Sequence, residues 1–225
     1  TEEDIKNMPD ESVRALALEG NLDAQYRLGV RHYLRSKHDG YTLTLVWWTI
    51  AAANGHEKAN DNFGSRRYAI ERSNPKSIAE QEVDADALIK QLVTENPKLL
   101  NADGMNEIGY EWLERKINFQ EAKALIGKAM QLKPEDSNIL DSMALVAIRE
   151  ENFKKALDLQ LKALKFAKRE DSLIYMQLGE IYHGLNDNMM ARKFLDKALG
   201  AKNIDEGTKS KIKSMINELD KPAKK

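Results

Sequence analysis

Along most of this chain apolar residues recur at spacings of three and four, with polar stretches breaking the runs. That is the period of amphipathic helices, each with one buried stripe. Val13, Leu16 and Ala17 predict a first helix over Asp10–Glu19, with Asp10 as its N-cap and Gly20 just past its end. The stretch Asp4–Asn7 carries little pattern and reads as a frayed end. Ile78, Val83, Leu88, Ile89 and Leu92 predict a helix over Ser77–Val93, with Pro75 suited to its first turn. Beyond the short connection Lys98–Gly104 the predicted helices come in pairs: Met105–Lys116 with Phe119–Leu132, Asn138–Glu150 with Phe153–Lys165, and Leu173–His183 with Met189–Leu199. A last helix, Thr208–Leu219, puts Ile212, Met215, Ile216 and Leu219 on one side and Lys209, Lys211, Lys213 and Glu218 on the other.

The pattern also repeats at long range. Gly109, Ala144 and Gly179 recur at a step of 35, and Ala122, Ala156 and Ala191, like Ala129, Ala163 and Ala198, at steps of 34 and 35. The first part of the chain has its own repeat, also at 35: Ala17 with Ala52, Gly20 with Gly55, Ala24 with Ala59, Leu28 with Phe63, Gly29 with Gly64 and Tyr33 with Tyr68. Small residues let two helices approach closely, and a large neighbour fills the adjacent hole. Self-similarity at this period predicts an all-α stack of helical hairpins in which each hairpin covers its neighbour's apolar face. The expected organisation is a first repeat region over 1–74, a connecting helix and loop over 75–104, three hairpins over 105–200, and a capping helix with a basic tail over 201–225.

Two family resemblances follow from these residues. Ala17, Gly20, Ala24, Gln25, Leu28, Gly29 and Tyr33, then Trp47, Trp48, Ala51, Ala52, Gly55 and Ala59, resemble the Sel1-like repeat over about residues 13–68. The chain departs from that family at Ser36–Tyr41, where a Gly-x-Gly-Val turn is usual. Residues 102–200 resemble the tetratricopeptide repeat, with two departures. Gly109 to Ala122 spans 13 residues where the other two hairpins span 12, and Gln160 replaces the usual aromatic or aliphatic residue, so that hairpin is expected to pack loosely or to touch something polar.

The resemblance implies a right-handed superhelix whose first helices line a concave groove. Carried onto this chain, the groove-facing positions are Asn106, Glu107, Tyr110 and Leu113, then Asn138, Asp141, Ser142, Leu145 and Arg149, then Met176, Gln177, Glu180 and His183. It further implies an adaptor or scaffold that binds a protein or peptide and carries no catalysis. The alternatives are a structural, self-associating subunit and the targeting arm of a longer envelope or assembly protein. Trp48 is expected to pack between helices, and Trp47 to be partly exposed as a second surface. The clamp by which some tetratricopeptide domains hold a chaperone's terminal carboxylate needs converging cations. Asn106, Tyr110, Ser142, Leu173 and Gln177 stand at those positions, so that clamp is absent.

Composition narrows the chemistry. Lys and Arg number 35 against 36 Asp and Glu, interspersed, which argues against a nucleic-acid surface. With no cysteine there is no disulfide, thiolate zinc site or cysteine nucleophile. No run is long and apolar enough for a membrane span. Phosphate loops, nucleophile elbows and metalloprotease motifs are missing, and His32, His38 and His56 do not form an i, i+4 metal pair, so no cofactor or metal is expected. Glu107, Glu111 and Glu114 read as a solvated helix face, and Lys221, Lys224 and Lys225 as a solvated tail. The start at Thr1, without Met or a signal core, is read as a removed leader or a trimmed end. Absence of cysteine fits an oxidising compartment, and together with the family analogy it sets a bacterial periplasm or envelope ahead of the cytoplasm.

Overall fold

The computed structural model describes residues 2–35, 41–61, 75–168, 171–202 and 204–220. Phe63, Gly64 and Tyr68 of the second repeat, the turn residues 36–40 with His38, and Lys221, Lys224 and Lys225 lie outside these. Among the described residues every regular element is helical. Two compact units divide the chain, residues 1–111 and 112–225.

In the first unit, α1 (Glu2–Lys6) and α2 (Asp10–Leu18) pack on α3 (Leu22–Arg35), and α3 pairs with α4 (Thr42–Ala53). A further helical stretch covers 57–61, α5 (Pro75–Glu95) lies against α4, and α6 (Ala102–Glu114) begins here. Gly20 and Gly55, one repeat apart, both end a helix with positive φ, 89° and 97°. Only glycine takes that turn without strain. Gly29 serves packing instead: a Cβ there would lie 2.1 Å from the Trp48 ring. The indole therefore lies directly on the α3 backbone, with Tyr33 stacked beside it at 5.7 Å.

Four sequence expectations change in this unit. The segment around Asp4–Asn7 is held, because Ile5 is buried and Arg31 donates to the carbonyls of Ile5, Lys6 and Met8 at 2.8–3.2 Å. Asp10 does not cap α2; its carboxylate binds Arg31 at 2.6 Å and also Arg35. Val83 is 66% exposed, since Ala85 and Ile89 supply the buried face of α5. Trp47 is buried as deeply as Trp48, each 3% exposed, because α4 is enclosed on nearly every side. Trp47 is therefore not a second surface.

The connection between α5 and α6 is tied down by a buried amide relay. Asn54 donates to the Gln25 side-chain carbonyl and to the Leu99 carbonyl, both at 2.9 Å. Gln25 donates to the carbonyls of Ala17 at 3.0 Å and Leu99 at 2.9 Å. The Asn101 backbone N–H donates to Asn54 Oδ1 at 2.9 Å. Polar groups buried this deeply are stable only when paired, and each of these amides fixes a backbone group of a different element.

The second unit continues with α7 (Phe119–Leu132), α8 (Ser137–Arg149), α9 (Phe153–Phe166), α10 (Ser172–Gly184), α11 (Asn188–Leu199) and α12 (Glu206–Leu219). Hairpins α8/α9 and α10/α11 pack tightly within themselves, α9 packs on α10, and α12 covers α11 and α10. Asp136, Asn152, Asp171, Asp187 and Asp205 accept backbone N–H bonds at the starts of α8 to α12. The extra turn residue before α7 appears as two left-handed residues, Lys116 and Asn118, where the later hairpins need only Glu151 and Asn186. The repeated alanines Ala122, Ala129, Ala156, Ala163, Ala191 and Ala198 are all fully buried at helix crossings. Ile212 of α12, also fully buried, joins Leu178, Leu195 and Ala198 in one core. The helix predicted over Thr208–Leu219 thus packs over the third hairpin.

Candidate partner-binding surface

The residues at the expected groove positions divide by burial. Leu113, Asp141, Ser142, Leu145, Met176 and Gln177 are buried, which corrects their assignment to an open groove. The reason lies in the stack: every residue from Ile139 to Ile148 is enclosed, because α8 sits between α7, α9 and α10. A first helix in mid-stack has little open face. In the second unit Asn138, Arg149 and His183 are exposed and Glu180 is half-buried. In the first unit Glu107 is exposed, while Asn106 and Tyr110 are half-buried.

Arg149, Glu180 and His183 belong to one surface. The Arg149 guanidinium lies 3.9 Å from Glu114 and 3.8 Å from Glu180, and Lys211 of α12 lies 3.8 Å from Glu114. Charges of alternating sign thus run across the end of α6, α8, α10 and α12. Beside this row a cleft of about 290 Å³ opens between α10 and α12, lined by Gly179, Glu180, His183, Lys211, Met215 and Leu219 among others. The His183 ring is turned by a 3.0 Å contact between its Nδ1 and Asn188 Oδ1. Partly exposed ion pairs at these distances are worth about 0–1 kcal/mol each, so an incoming charged group exchanges with them at little cost. Two cations, Arg149 and Lys211, do converge here, but on the chain's own Glu114.

Sequence reasoning assigned Glu114, Lys211 and Glu218 to solvated faces and so missed them as surface-forming residues. One signal was available: Arg149 stands one 35-residue step after Glu114, so the repeat reverses its charge at that position.

A buried polar cluster among α8, α9 and α10 explains Gln160. Gln160 of α9 donates to Asp141 Oδ1 at 2.6 Å and approaches the Ile174 carbonyl at 3.3 Å, and Gln177 of α10 donates to Asp141 Oδ2 at 2.8 Å. Burial pushes the Asp141 carboxyl up to about 6, and the charges of Asp171 and Glu114 push the same way against the two amide hydrogen bonds. Of the two expectations for Gln160, a polar contact is the one met. Among the described residues no His, Asp and Glu group is arranged to hold a metal ion, and no helix is long and apolar enough to cross a membrane.

No family model matches the chain, and no curated protein matches it. Among solved structures, the N-terminal domain of stress-induced protein-1 from C. elegans is 21% identical, covering 51% of this chain and 93% of that one with a TM-score of 0.39. A chain of the APC/C hetero-tetramer Cut9–Hcn1 is 16% identical, covering 92% of this chain but 43% of its own length, with a TM-score of 0.50. Both neighbours contain tetratricopeptide repeats. With the second of them matching over nearly the whole chain, the fold is that of an all-α, tetratricopeptide-like helical-repeat protein.

Proposed function

We propose that the chain is a non-catalytic scaffold that takes a segment of a partner protein on the inner side of its second unit, at the α10/α12 cleft and the adjoining charge row. The observation that carries this is the cleft itself: His183 and Glu180, both expected at groove positions, line it together with apolar Met215 and Leu219. An apolar floor with a few charges at its rim suits one anchoring side chain of a peptide. Tetratricopeptide-like architecture supports a protein partner in general and leaves its identity open. The first unit we assign to the Sel1-like repeat, on the matched roles of Gly20 and Gly55 and the fully buried pair Ala24 and Ala59.

The test is affinity capture from the source organism's lysate, read by mass spectrometry, with wild-type chain beside an Arg149→Glu/His183→Ala variant. Both substituted side chains are exposed, so the variant is expected to keep its helical circular dichroism. A protein held by the wild type and lost by the folded variant supports the cleft. Equal retention by both places the contact elsewhere and overturns this assignment.

A further inference from the structure

The buried cluster of Asp141, Gln160 and Gln177 has no part in the proposed partner surface, and its hydrogen bonding is incomplete in a specific way. Both glutamines direct their N–H groups to the Asp141 carboxylate, and both side-chain carbonyls, Gln160 Oε1 and Gln177 Oε1, are buried with no hydrogen-bond partner. Gln160 is fully buried and Gln177 is 3% exposed, so neither carbonyl is solvated at the surface. Two orphaned acceptors beside an acceptor-only carboxylate are two donors short, and a proton on that carboxylate supplies one of them.

We propose that these three residues form a proton-operated clasp between the second and third hairpins. With the carboxyl ionised, each amide makes one bond to it and its carbonyl goes unmatched. With the carboxyl protonated, acid and amide can pair through two antiparallel hydrogen bonds, the acid O–H meeting one of the stranded carbonyls. The three side chains come from α8, α9 and α10, and an added bond from the acid to Gln177 Oε1 ties the α8/α9 hairpin to α10 of the next. The charged groups facing the carboxyl are Asp171 at the start of α10 and Glu114 at the end of α6, both of which favour the neutral acid. From α9 the facing group is the uncharged Gln160, and Lys123 of α7 is already held by Glu150. Arg149 and Glu180 span the same α8/α10 junction on the surface.

The sign follows from the direction of the shift. A carboxyl whose folded pKa is raised binds its proton more tightly when folded, so the junction is firmest in acid and loosens as pH rises through the folded value. The experiment is urea unfolding of the full chain from pH 7.5 to 4.5, wild type against Asp141→Asn, a neutral side chain of the same shape. On acidification, the wild-type folding equilibrium constant is expected to rise relative to the variant's, by roughly 25-fold at pH 4.5 for a shift of two pH units. Parallel profiles for the two proteins overturn the clasp. A second measurement needs no variant: the Asp141 side-chain carboxyl is followed by carbon NMR in the folded wild type. A midpoint well above the ordinary carboxylate range supports the clasp, and one at or below about 4 rejects it.

Discussion

Gly29 and Asn54 show how much of the first unit hangs on single side chains. An alanine methyl at Gly29 meets the Trp48 indole, which burial and its stacking on Tyr33 keep from moving aside. Gly29→Ala is expected to destabilise by about 1–3 kcal/mol, as overpacking does, read as a lower urea midpoint with unchanged slope. Asn54→Ala removes two donors and an acceptor at once, leaving Gln25 Oε1 and the Asn101 N–H short of partners. A loss of about 3 kcal/mol is expected, with faster hydrogen exchange around residues 99–104 as its local signature. Leu145→Ala is a core truncation and no test of binding, since Leu145 is 3% exposed. It should lower stability by about 2–5 kcal/mol, measured the same way. An unchanged midpoint in any of the three would contradict the packing described for that residue.

At the scale of elements, the first and last helices each hang on one side chain. At one end α1 is too short to be stable alone, and Arg31 fastens it by gathering the carbonyls of Ile5, Lys6 and Met8. At the other end α12 covers the core around Leu178 and Leu195 through Ile212. Ile212→Asp is expected to unseat α12 and expose that edge, seen as concentration-dependent light scattering that the wild type does not show. A variant that stays monomeric and keeps the exchange protection of α12 would contradict its role as a cap. Helix spans were legible from the 3.6-residue period, because each helix here buries one stripe. α4 and α8 are exceptions: α8, enclosed from Ile139 to Ile148, leaves only its ends, Asn138 and Arg149, open among the family's groove positions.

For the whole molecule, two carboxyls set opposite pH trends. Hydrogen bonds from Arg35 and Arg31 hold Asp10 down at about 2, so what it contributes is present above the ordinary carboxylate range and lost as pH falls below it. Burial holds Asp141 up at about 6, so its contribution is present in mild acid and lost as pH rises through that value. From these two groups the thermal midpoint is therefore expected to peak near pH 4 and to fall toward pH 6 and above. A profile that rises steadily toward neutral pH would count against the assignment of Asp141. The two units also differ in charge: residues 1–111 carry 13 Lys and Arg against 19 Asp and Glu, and residues 112–225 carry 22 against 17. Whole-chain composition conceals that difference.

By itself the sequence determined the hairpins, their step and the extra turn residue before α7, because these depend on local period, small-residue spacing and turn chemistry. It marked Gln160 as out of place without saying what Gln160 meets. Only the tertiary structure decided that Trp47 and Leu145 are buried, that Glu114, Arg149, Glu180 and Lys211 form one charged row, and that Asp141 carries two amides and strands their carbonyls. The physical reason is common to all of these. Periodicity states which face of a helix is apolar, whereas enclosure and ion pairing depend on which other helices arrive, and residues 35 apart or more meet only once the hairpins stack.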